Sequence, residues 1–136
     1  MKTLNDYAAH IIALCKQHRI GLTINPAMPA ERSSVTHFGP GYQQHQLTIT
    51  TMTDETHYAV VMHELGHCLA PGGMSESGPD GPRNLKELRS VILGEMAAWD
   101  WAEANAIDWT TGMNQCRQLA LDYYRSWAIG KMRGTR

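Results

Sequence analysis

The sequence predicts one α+β domain spanning residues 1–136, and three observations predict it. The chain opens with a 3.6-residue apolar period, passes through short alternating stretches broken by proline and glycine, and returns to a helical period after Met52. The expected elements are an N-terminal helix, a small antiparallel sheet of about three strands, and three further helices. At 136 residues the chain can bury one modest core and not a second.

Leu4, Tyr7, Ala8, Ile11, Leu14, Cys15 and His18 fall on one side of a helix that ends near Gly21. Residues 22–29 form a short apolar, β-branched run that Pro26 and Pro29 interrupt. A second extended stretch covers 33–38. After Gly39-Pro40-Gly41, residues 46–52 read as a strand with Leu47, Ile49 and Thr51 on one face. These punctuation clusters sit too close together for crossover helices, so antiparallel pairing is expected.

Thr53-Asp54-Glu55 supplies the oxygens and negative charge of a helix start. The helix then runs over 58–70 and stops at Pro71-Gly72-Gly73. Residues 71–84 hold three prolines and four glycines and read as a loop inside the domain. A long helix follows over 85–107. Residues 108–111 can cap a last one through Leu119, Tyr123 and Trp127. Lys131, Arg133 and Arg136 have no acid nearby and read as a frayed, solvated tail.

Composition narrows the function. A formal net charge of −1 gives no electrostatic case for nucleic acid or an anionic membrane. The apolar runs fall far short of the roughly 18 residues a span needs, and the first residues lack the basic start and apolar stretch of a signal peptide. Three widely spaced cysteines, Cys15, Cys68 and Cys116, suggest reduced thiols in a cytoplasmic compartment.

Chemistry concentrates in His63-Glu64-Leu65-Gly66-His67, an HExxH. On a helix, residues i and i+4 project from one face, so His63 and His67 can offer imidazole nitrogens to one zinc ion. Glu64 points about 100° away and can take a proton from the attacking water without binding the metal. Two histidines and a glutamate on a helix entering a core would be costly to bury without a cation.

A catalytic zinc site needs a third protein ligand. No histidine follows His67, so the ligand is acidic or comes from His37, His45 or His57 upstream. His57 lies on the wrong helix face; His37 and His45, on the expected hairpin, remain open. Glu95 is the best acid. It falls within the apolar stripe Leu88, Val91, Ile92, Ala98, Trp99, Ala102 and Ala106, where a carboxylate needs a partner. Without a metal, that partner would be Arg83, Lys86, Arg89 or Arg117. Asp100, Glu103, Glu76 and Asp80 are placed less well. Cys68 points away from the two histidines and reads as a structural thiol. Trp99, Trp101, Trp109 and Trp127 read as packing residues, and His10 and His18 have no assigned role.

HELGH on one helix and Glu95-Met96-Ala97-Ala98-Trp99 on the next resembles the gluzincin type of zinc metallopeptidase, closest to the ImmA/IrrE-like proteins of bacteria, phages and mobile elements. The resemblance covers roughly residues 45–106. It implies a minimal zincin-like fold, Zn2+ on His63, His67 and Glu95, Glu64 as general base, and hydrolysis of a cytoplasmic repressor or host regulatory protein. The sequence departs from the family at Trp99, where Asn is frequent, and in its Gly/Pro-rich loop, and no helix-turn-helix domain is expected.

On this reading the strand at 46–52 would receive an extended substrate by edge addition. Tyr42, His45, Tyr123, Tyr124 and Arg125 are open candidates for the oxyanion donor. The rival readings are a zinc-stabilised binding module that cleaves nothing and a zinc hydrolase acting on a non-peptide bond.

Overall fold

The computed structural model describes residues 2–29, 34–38, 44–74 and 81–134, with side chains of 35–38 and 131–134 outside that description. In chain order the elements are α1 (Leu4–Gln17), β1 (Gly21–Ile24), β2 (Ser34–Phe38), β3 (Gln44–Ile49), α2 (Glu55–Leu69), α3 (Leu85–Asn105) and α4 (Thr111–Gly134).

Helix α1 starts in a capping box. The Asp6 N–H donates to the Thr3 hydroxyl at 3.1 Å, and the Thr3 N–H donates to the Asp6 carboxylate at 2.8 Å. Tyr7, Ile11, Leu14 and Cys15 form its buried stripe. The helix stops before Gly21, at Arg19, whose φ of 56° is left-handed. The Ile20 N–H donates to the Cys15 carbonyl and the Arg19 N–H to the Lys16 carbonyl, closing a Schellman end. Glycine ordinarily holds that position because it has no Cβ to clash.

The sheet corrects the antiparallel expectation. Its order is β1-β3-β2, and β1 runs parallel to β3, with Gly21 opposite Gln46 and Ile24 opposite Ile49. Only β2 pairs antiparallel with β3, from Ser34 opposite Thr48 to Phe38 opposite Gln44. A parallel pair needs a long connection, and among its described residues the connection carries β2 and no helix. Residues 25–43 include β2 itself, which passes to the far side and returns β3 into the middle. That placement also overturns the substrate role of the strand at 46–52. Both edges of β3 are already paired, so it cannot accept a further strand.

Leu47 and Ile49 of β3 are buried beneath α1 and α2, while Thr51 is exposed beyond the strand end. The core joins them to Tyr58, Val61, Met62 and Leu65 of α2, Trp99 and Ala102 of α3, and Met113 and Leu121 of α4. A polar tie runs through it. The Tyr58 hydroxyl accepts from the Ile107 N–H at 3.0 Å and pairs with His10 Nδ1 at 2.7 Å. Tyr7 stacks on Tyr58 and donates to Asp108 at 3.0 Å. His10 therefore serves this tie between α1 and α2.

The Schellman end gives a direct test. Arg19→Gly removes the left-handed strain and is expected to stabilise the fold by about 1 kcal/mol, read as a higher urea midpoint at unchanged slope. A lower midpoint would contradict the assigned geometry.

Candidate metal centre

Helix α2 is set by Asp54, whose carboxylate accepts from the His57 N–H at 2.8 Å. His57 in turn accepts from the Thr53 N–H at 3.2 Å through Nδ1 and is buried at the helix start. It is thus absorbed in the N-terminal turn, well before His63. Fifteen helical residues carry His63 and His67 on one face of α2.

Helix α3 begins at Asn84, which accepts from the Glu87 N–H at 2.9 Å. Glu95 lies on its buried side with Leu88, Gly94, Ala98, Trp99 and Ala102. The two helices approach closely because Gly66 has no side chain. A Cβ there would stand 2.3 Å from the Ala98 carbonyl oxygen and 2.8 Å from its Cα. The HELGH glycine and the small residues of α3 thereby bring a carboxylate to two imidazoles.

Glu95 Oε2 lies 2.5 Å from His63 Nε2 and 3.3 Å from His67 Nε2. Among the described residues these three form a cluster able to coordinate a divalent metal ion, with one ligand atom from each within 4.8 Å of the others. The donor set of two imidazoles and one carboxylate is that of a zinc site with an open position. Neighbouring donors on a tetrahedral zinc stand roughly 3.3 Å apart. The His67–Glu95 separation meets this, and the shorter His63–Glu95 contact is a hydrogen bond with a proton where a cation would compete.

Electrostatics follow from that proton. Burial alone would lower the His63 pKa, but the carboxylates of Glu64 and Glu95 beside it carry it up to about 9. His67 is raised by Glu95 against the same burial. Burial would raise Glu95, yet the two histidines hold it well below the usual carboxylate range. The His67 Nδ1–H donates to the Gly73 carbonyl at 2.7 Å, which turns Nε2 toward Glu95, carrying a proton there or, once that proton leaves, offering a lone pair to a metal. Gly73 is needed there, because a Cβ would meet the Gly66 carbonyl oxygen at 2.4 Å.

Glu64 stands beside the cluster and outside it, its Oε1 3.6 Å from His63 Nδ1 and its side chain 21% exposed. Cys68 turns away and donates to the Glu64 carbonyl; burial pushes its thiol up to about 12, far from a thiolate ligand. Arg117 is taken by Asp100 and Glu103, and Arg83 by Glu87, so neither neutralises Glu95. His45 lies on β3 apart from the cluster. The His37 side chain, Tyr42, Glu76 and Asp80 lie outside the described residues.

Among the open oxyanion candidates, Tyr124 of α4 reaches the site. Burial raises its phenol, and the charge and hydrogen bond of Glu95, with the charge of Glu64, raise it further. Tyr123, its neighbour, is largely exposed, and Arg125 faces Asp122. Position in α4 alone could not distinguish the two tyrosines, since the facing helix decides which one points inward. Trp99 was legible only as a packing residue. It is buried, and it also stacks on His63 with ring centroids 4.3 Å apart at 16°.

Comparison with protein-family models, curated proteins and solved structures finds no match to this chain. Among the described residues no helix is long and apolar enough to cross a membrane.

The titration has a definite sign. His63 is raised from 6.5 to about 9 in the folded chain, so its contribution is full below pH 6.5 and lost as pH rises through 9. Glu95 is depressed, so its contribution is lost as pH falls below the ordinary carboxylate range. In the presence of a chelator, the melting temperature is expected to fall between pH 6.5 and 9. A flat or rising profile over that window would contradict the proton-bridged cluster.

Proposed function

We propose that the chain is a zinc-dependent metallopeptidase of the gluzincin type. The observation that carries this reading is the convergence of His63, His67 and Glu95 beside a partly buried Glu64 that takes no part in the cluster. A purely structural site has no use for that fourth residue. His63, His67 and Glu95 would hold the ion. Bound there, zinc polarises a scissile carbonyl and makes water acidic enough to lose a proton near neutral pH.

Glu64 is the general base in this proposal. Its carboxylate accepts the proton of the attacking water and later delivers it to the leaving amine. Tyr124 would donate from its hydroxyl to charge that develops on the substrate oxygen, a role supported by its nearness to Glu95 and Glu64 from a third helix. Helix α4 thus supplies chemistry as well as cover. For an extended substrate, the sheet leaves two edges, β1 and β2, and β2 is the one beside the metal-bearing helix.

The order HELGH, loop, Glu95 supports the narrower proposal of an ImmA/IrrE-like peptidase acting on a cytoplasmic protein, a repressor or host regulator. No nucleic acid or membrane enters the proposal.

The test is Glu64→Gln. The variant is expected to keep its helical circular dichroism and bound zinc while cleavage of a peptide library, read by mass spectrometry, falls by about 100-fold or more. Equal cleavage by the variant would contradict the assigned base. A zinc-loaded wild-type chain that cleaves nothing would instead favour the binding module.

A further inference from the structure

We propose that Trp99 is a positioning residue of the metal centre, its indole laid flat on the His63 imidazole so that Nε2 stays aimed at the cluster. This inference rests on the metal reading above and deepens it.

Trp99 lies one helical turn after Glu95, so both project from the same face of α3 toward α2. Together they clasp one ring. Glu95 meets its Nε2 edge at 2.5 Å, and Trp99 covers its face at a centroid distance of 4.3 Å and an interplanar angle of 16°. His67 closes the arrangement edge-on, 4.5 Å away at 70°.

The two histidines are oriented by different means. The Nδ1 of His67 is fixed by a 2.7 Å hydrogen bond to Gly73. The corresponding nitrogen of His63 has only Glu64 Oε1 at 3.6 Å, too far for a hydrogen bond. A ligand histidine without such an orienting bond needs another constraint on its ring plane. The stack supplies it.

Packing alone does not account for this residue. Trp99 is only 2% exposed, and its Nε1–H is buried without a hydrogen-bond partner. An unpaired buried donor costs stability, and an aliphatic side chain would fill the space without one. A flat, rigid face is what the aliphatic side chain lacks.

The experiment measures metal binding and not turnover. Zn2+ affinity is taken by competition with a chromophoric chelator, and the d–d absorption of the Co2+ form is recorded, for wild type, Trp99→Leu and Trp99→Phe. Trp99→Leu is expected to lose about 10- to 100-fold in Zn2+ affinity with an altered Co2+ spectrum. Trp99→Phe, which keeps a flat ring, should stay within about 3-fold of wild type, in line with a stacking role. Unchanged affinity and spectrum in Trp99→Leu, with only a lower melting temperature, would overturn the proposal and leave a packing role.

If Trp99→Leu fails to fold, fluorescence decides. Co2+ loading should quench tryptophan emission in wild type, and most of that change should vanish in Trp99→Phe. Persistence of the full quench would overturn the proposal. Failure of wild type itself to bind Zn2+ or Co2+ would refute the metal reading rather than the stack alone.

Discussion

A carboxylate shut between two helices must be neutralised, and the architecture around Glu95 answers that demand. With 7% of its surface exposed, Glu95 would be prohibitive on the buried side of α3 if nothing positive faced it. His63 and His67 face it. In the metal-free chain they do so as proton carriers, and the same lone pairs are open to a divalent ion once those protons leave. One constraint therefore joins stability to metal binding.

The rest of the fold serves that contact at close range. Gly66 lets the backbones of α2 and α3 approach to a distance no other residue permits, and Gly73 folds the following loop back to fix His67. Asp54 and Asn84 start the two helices. The sheet and α1 bury the other side of α2 through Leu47, Ile49, Tyr7 and Ile11. Helix α4 covers the pair and brings Tyr124 to the acidic cluster.

Much of this is written in local sequence. Capping residues and a 3.6-residue period are properties of a few neighbours, so α1, α2 and α3 can be read directly, and the His63–His67 spacing places two imidazoles on one face. Glu95 is legible because a charge interrupts an apolar stripe. The sheet was not legible in the same way. Turn residues state where a strand ends, but whether β3 returns to the edge or enters between β1 and β2 depends on contacts distant in sequence. The parallel β1–β3 pair and the loss of β3 as a substrate edge both follow from that. The end of α1 falls before Gly21 for a different reason: Arg19 occupies a left-handed position where glycine is the expected signal. The choice of Tyr124 over Tyr123, and the stack of Trp99 on His63, likewise belong to helix packing.

The most direct test of the central claim is native mass spectrometry of the chain loaded with Zn2+, alone and as Glu95→Ala. The wild-type chain should carry one zinc ion, and a Glu95→Ala protein that remains folded should lose it. Full zinc retention by Glu95→Ala, or a wild-type chain that takes up none, would contradict that claim.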